Sequence, residues 1–60
     1  MILTAILFFR PGTGLNPVKY RNIKGIEKFE RFAMSKFADN LQAINFYDKE
    51  TKKFFKQIKI

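Results

Sequence analysis

The sequence predicts a small α+β domain: a single-layer antiparallel sheet of three to four strands with one amphipathic helix packed on one face, in the order β-(β)-α-β-β. Three observations carry this expectation. The chain opens on MILTAILFF, in which only Thr4 is polar, and that run stops at Arg10-Pro11-Gly12. Residues 22–40 repeat apolar side chains at helical spacing. The tail holds two short apolar runs separated by DKETK, the pattern of a hairpin.

Each element has its own justification. Ile2 to Arg10 is rich in branched and aromatic residues, and its length and following Pro-Gly favour a strand over a helix. Pro11, Gly12, Gly14, Asn16 and Pro17 then make a loop. In VKYRNIKG, Val18, Tyr20 and Asn22 alternate with Lys19 and Arg21, which suggests a short edge strand. Asn16-Pro17 also suits a helix start with Pro at its first position, so residues 17–23 stay open between the two.

The helix follows. Ile23, Ile26, Phe29, Ala33 and Phe37 fall on one side of a 3.6-residue wheel, with Phe32 and Met34 flanking the stripe. Lys24, Lys28, Arg31 and Ser35 occupy the opposite side, and Glu27 precedes Arg31 at the favourable i, i+4 spacing. Asn22 suits the N-cap. Gly25 costs up to about 1 kcal/mol in a helix interior, which moves the start toward residue 25. Asp39-Asn40 ends the element.

In the tail, Ile44 and Phe46 share one face of a strand, and Ala43, Asn45 and Tyr47 the other. Asp48 suits an Asx-turn. The returning strand places Phe54, Ile58 and Ile60 in one register, interrupted by Lys56, and Phe55, Gln57 and Lys59 in the other. A bulge at Phe54-Phe55 also fits, so this register stays open.

Sixty residues make one domain, 1–60, with a core too small to be comfortably stable alone. With no Cys and no His, a disulfide and a Cys/His zinc site are excluded as staples. Self-association is the staple that remains, and a homodimer is expected. One helix covers one face of a sheet. If Leu3, Ala5, Leu7 and Phe9 face it, then Thr4, Ile6 and Phe8 point away together with Tyr47 and Phe55. A first strand this apolar does not suit a sheet with one face in water. Thr4, Ile6, Phe8, Tyr47 and Phe55 are therefore the expected subunit interface, with base stacking on the aromatics as the competing use of that face.

The function classes narrow by elimination. Histidine and cysteine are absent, the carboxylates Glu27, Glu30, Asp39, Asp48 and Glu50 have ordinary helix and turn roles, and no dyad stands apart. No enzyme activity, cofactor or metal is expected. PGTGLNP lacks the Gly-Lys-Ser/Thr ending of a phosphate loop. The opening run lacks the basic flank of a signal peptide and is too short to span a bilayer as a helix, so a cytoplasmic protein without membrane attachment is expected. Twelve Lys and Arg against five Asp and Glu give a net charge of +7, which favours polyanionic partners and argues against a DNA mimic.

In size and composition the chain resembles the short open reading frames of phages and other mobile elements of AT-rich bacteria, a resemblance that carries over no functional residue. The expected role is a small, basic, non-catalytic module binding nucleic acid. Arg10, Lys19, Arg21, Lys24, Lys28, Arg31, Lys53 and Lys59 are the expected phosphate contacts. The alternative is a protein-protein regulator of a host factor, acting as a homodimer.

Overall fold

The computed structural model describes residues 1–60. It contains β1 (Leu3–Phe9), β2 (Val18–Ile23), α1 (Ile26–Phe37) with a closing 3₁₀ turn (Ala38–Asn40), β3 (Leu41–Asp48) and β4 (Phe54–Lys59). The four strands form one sheet in the order β2-β1-β3-β4, with every neighbouring pair antiparallel. This is the α+β architecture that the residue pattern predicts. No helix is long and apolar enough to cross a membrane.

β1 is an interior strand, flanked by β2 and β3, so both its edges are hydrogen-bonded. On the face toward α1 its side chains are buried, and on the other face Ile6 and Phe8 are only half-buried. β2 and β3 run parallel to each other on either side of β1, and α1 makes the crossover between them. Leu3, Ala5 and Leu7 of β1 and Leu41, Ile44 and Phe46 of β3 face the helix and are buried. Phe29 and Ala33 of α1 close the core from above. Phe29 stands edge-on to Phe46 at 6.0 Å and to Tyr20 at 5.4 Å between ring centroids. Phe9 and Phe37 make a second edge-on pair, at 4.9 Å. Each fully buried Leu, Ile or Phe of this core contributes about 1.5–3 kcal/mol by leaving water, a gross gain that chain entropy largely offsets.

Of residues 17–23, Val18–Ile23 form strand and Pro17 precedes it. Val18 and Tyr20 pair with Leu7 and Ala5. The register then slips, Asn22 adopts a left-handed φ of 61°, and Ile23 re-enters the core opposite Leu3. This corrects two expectations. Ile23 belongs to β2 rather than to the helical stripe, and Asn22 is not the N-cap. Gly25 holds that position with no side-chain hydrogen bond, so α1 starts at Ile26.

The β3-β4 turn forms as the Asx pattern implies. Asp48 Oδ1 accepts from the amides of Glu50 at 2.8 Å and Thr51 at 3.1 Å, and the Asp48 carbonyl accepts from the Lys52 amide at 2.8 Å. Lys52 leaves the turn at a φ of 64°. That conformation costs an L-residue about 1–2 kcal/mol, and glycine escapes it at the expense of a more disordered unfolded chain. Lys52→Gly is expected to raise stability by about 0.5–1 kcal/mol, read as a higher urea midpoint with an unchanged slope.

A bulge follows on β4, and it reverses the two phenylalanines. Phe54 pairs with Tyr47 on the outer face, with the rings edge-on at 5.8 Å. Phe55 instead turns toward the helix side, lining a groove with Leu3 and Ile26. Phe55 therefore does not belong with Thr4, Ile6, Phe8 and Tyr47, and Phe54 takes its place. Two adjacent phenylalanines satisfy either register by pattern alone, and the turn geometry decides between them.

Candidate nucleic-acid interface

The face of the sheet away from α1 has no second layer. β1 presents Thr4, Ile6 and Phe8 there, and β3 presents Ala43, Asn45 and Tyr47, because Thr4 pairs with Tyr47, Ile6 with Asn45 and Phe8 with Ala43. On β4, Gln57 and Lys59 continue the same face beside Asn45 and Ala43. The Gln57 amide donates to Asn45 Oδ1 at 2.7 Å, and Asn45 Nδ2 donates to the Tyr47 hydroxyl at 3.3 Å. This ladder holds the Tyr47 ring in place across the two strands. Ile6 and Phe8 are half-buried by their own neighbours in the sheet and stay open to the outside.

At one end of this face lies a cleft of about 360 Å³, lined by Thr4, Ile6, Tyr47 and Asp48 together with the cations Lys19, Arg21, Lys49 and Lys52. Four separate features bring those cations together. Alternation along β2 turns Lys19 outward opposite Ile6. Arg21 follows before the bulge. The Asx-turn folds the β3-β4 connection back over the start of β1, where the Lys49 amide donates to the Ile2 carbonyl at 3.0 Å. The Lys49 ammonium then donates to Asn22 Oδ1, tying the turn to the end of β2.

Asp48 is the one carboxylate in the cleft lining. The amides of Thr51 and then Glu50 hold its carboxyl below the usual carboxylate range. A folded-state pKa below the unfolded one makes the carboxylate stabilising at neutral pH, and that contribution is lost as pH falls through the depressed value. Asp48→Asn is expected to remove this part of the acid sensitivity. The check is the difference in urea midpoint between neutral and strongly acid solution, which should shrink in the variant. With Asp48 ionised and engaged by its own turn, the cleft keeps a surplus of positive charge.

The structure divides the expected phosphate contacts among separate places. Lys19 and Arg21 reach the cleft. Lys59 lies at the far end of the same face with Phe8 and Gln57. Lys24, Lys28 and Arg31 line the groove on the helix side with Phe55. Arg10 sits where β1 ends, its Nε donating to the Leu41 carbonyl at 3.3 Å, and Lys53 closes the β3-β4 turn through its carbonyl. Lys49 and Lys52 are cleft residues that the residue pattern did not single out. Their position depends on where a turn folds back, and the only signal was the Lys-rich DKETK next to an Asx residue.

No three His, Cys, Asp or Glu side chains gather as metal ligands would. Comparison with protein-family models, with curated proteins and with solved structures finds no match to this chain.

Proposed function

We propose that this protein is a cytoplasmic, non-catalytic nucleic-acid-binding module that holds the phosphate backbone on the outer face of its sheet. The observation that carries the reading is the convergence of Lys19, Arg21, Lys49 and Lys52 on one cleft. Phosphate recognition needs closely placed cations and accessible donors rather than a deep pocket, and the cleft supplies both. Lys59 extends positive charge to the opposite end of the face. The test is fluorescence anisotropy of a labelled oligonucleotide as salt rises. Binding that weakens log-linearly supports the reading, and no binding in low salt to DNA or RNA removes it.

A protein-protein reading competes for the same surface. Ile6, Phe8 and Ala43 form a small apolar centre with polar neighbours around it, which is the anatomy of an interface. Two copies pairing through this centre would seal it and exclude nucleic acid. Native mass separates the two. A dimer that persists when oligonucleotide is added favours the protein-protein reading, and a monomer at every concentration removes the homodimer from it.

A further inference from the structure

Tyr47 belongs to two arrangements at once. It lines the four-cation cleft, and its ring meets Phe54 edge-on at 5.8 Å. Phe54 is 59% exposed, the most solvent-accessible of the large apolar side chains within the sheet. Its position follows from the bulge that sends Phe55 to the other side. Across the sheet the order is thus Lys19 and Arg21 on β2, the cleft over β1, Tyr47 on β3 and Phe54 on β4, with Lys49 and Lys52 brought to the cleft by the β3-β4 turn. Neighbouring strands lie about 4.8 Å apart, so the step from cleft floor to Phe54 is about 10 Å.

We infer that the outer face selects single-stranded over double-stranded nucleic acid, with phosphates on Lys19, Arg21, Lys49 and Lys52 and a base stacked at Tyr47 and Phe54. This rests on the nucleic-acid reading above and specifies the state of the strand. A duplex keeps the faces of its bases stacked on one another and offers only phosphates, sugars and groove edges. Charge alone would serve it, and an exposed aromatic pair beside the cations would go unused. An unpaired base has a free π-face, and an aromatic side chain next to a cationic groove matches a base next to its own phosphate. The Gln57–Asn45–Tyr47 ladder gives the Tyr47 hydroxyl a partner within the sheet, which leaves the ring beside Phe54 as the part that meets a base.

The chain carries its own reporter. It has no Trp and two Tyr, and Tyr20 is packed on the helix side against Phe29 and Phe32. In a Tyr20→Phe background, tyrosine emission comes from Tyr47 alone. Three probes of equal length are titrated at one salt concentration: a thymine single strand, an abasic single strand and a duplex. The expected result is quenching of Tyr47 by the thymine strand, with at least tenfold tighter binding than either the abasic strand or the duplex. Phe54→Ala, an exposed substitution whose fold is checked by circular dichroism, should weaken the thymine strand about tenfold and leave the duplex unchanged.

Equal affinity for all three probes, with no quenching and no effect of Phe54→Ala, overturns strand selection while nucleic-acid binding stands. No binding of any probe in low salt overturns both.

Discussion

Phe46→Ala is expected to destabilise the fold by about 3–5 kcal/mol. Phe46 is fully buried on β3, one of the two interior strands, and is among the largest side chains completely sealed from solvent. Its ring supports Phe29, which in turn contacts Tyr20 and Phe32, so its loss loosens the packing that fastens α1 to the sheet. Removing a buried Phe costs about 3–5 kcal/mol, because the lost transfer energy and the residual cavity add. At about 0.05–0.15 kcal/mol per residue, a 60-residue chain has about 3–9 kcal/mol in total. The substitution therefore consumes from about a third of the stability to all of it. Circular dichroism with urea titration reads this as loss of the folded baseline, or as a strongly lowered midpoint. A change of less than about 1 kcal/mol would mean that the core is organised around other residues.

Reversing charge at Lys19 and Arg21 together is the second large effect. Both side chains are exposed, so folding should change by no more than about 0.5 kcal/mol. Binding should respond far more. A hydrogen bond to a charged group is worth about 1.5–3 kcal/mol, and two lost contacts correspond to about a hundredfold or more in Kd at low salt. Lys19→Glu with Arg21→Glu also places two carboxylates where phosphates would lie. The same reversal at Lys28 and Arg31, on the helix side of the sheet, should cost much less, because those residues face a different groove. This contrast separates a localised interface from a diffuse attraction by net charge, which every reversal would weaken alike.

The parts of this architecture that were legible in the residues are those governed by local periodicity. The wheel of Ile26, Phe29, Ala33 and Phe37 marked the helix, and the branched and aromatic run of β1 ending at Pro-Gly marked a strand, whereas its interior place in the sheet had no signal of its own. Two features resisted because the same residues satisfied two patterns, and a third because it depends on a distant turn. Ile23 fits both a helical stripe and the end of a strand, and only the pairing with Leu3 across a bulge decides for the strand. Phe54 and Phe55 fit either register, and the left-handed Lys52 with the Asx-turn at Asp48 sets which one turns outward. The cleft was legible in half. Lys19 and Arg21 stand out by alternation along β2, whereas Lys49 and Lys52 join them only because a turn distant in sequence folds back onto Ile2 and Asn22.

The apolar outer side of β1 is only partly covered within the chain. The neighbouring strands cover Ile6 and Phe8 in part, and the hydrogen-bonded side chains of Asn45, Gln57 and Tyr47 stand alongside. What stays open is this half-covered apolar centre and, beside it, an aromatic edge next to a cationic cleft.

The salt dependence of single-strand affinity tests phosphate binding at that cleft most directly. Each phosphate neutralised on a single strand contributes about 0.7 to the slope of log K against log salt, so the four cleft cations give a slope of about −2.8. The Lys19→Glu, Arg21→Glu protein should show about half that slope together with its lost affinity. An unaltered slope and Kd in that variant, or a native protein that ignores oligonucleotide in low salt, would contradict a phosphate-binding outer face.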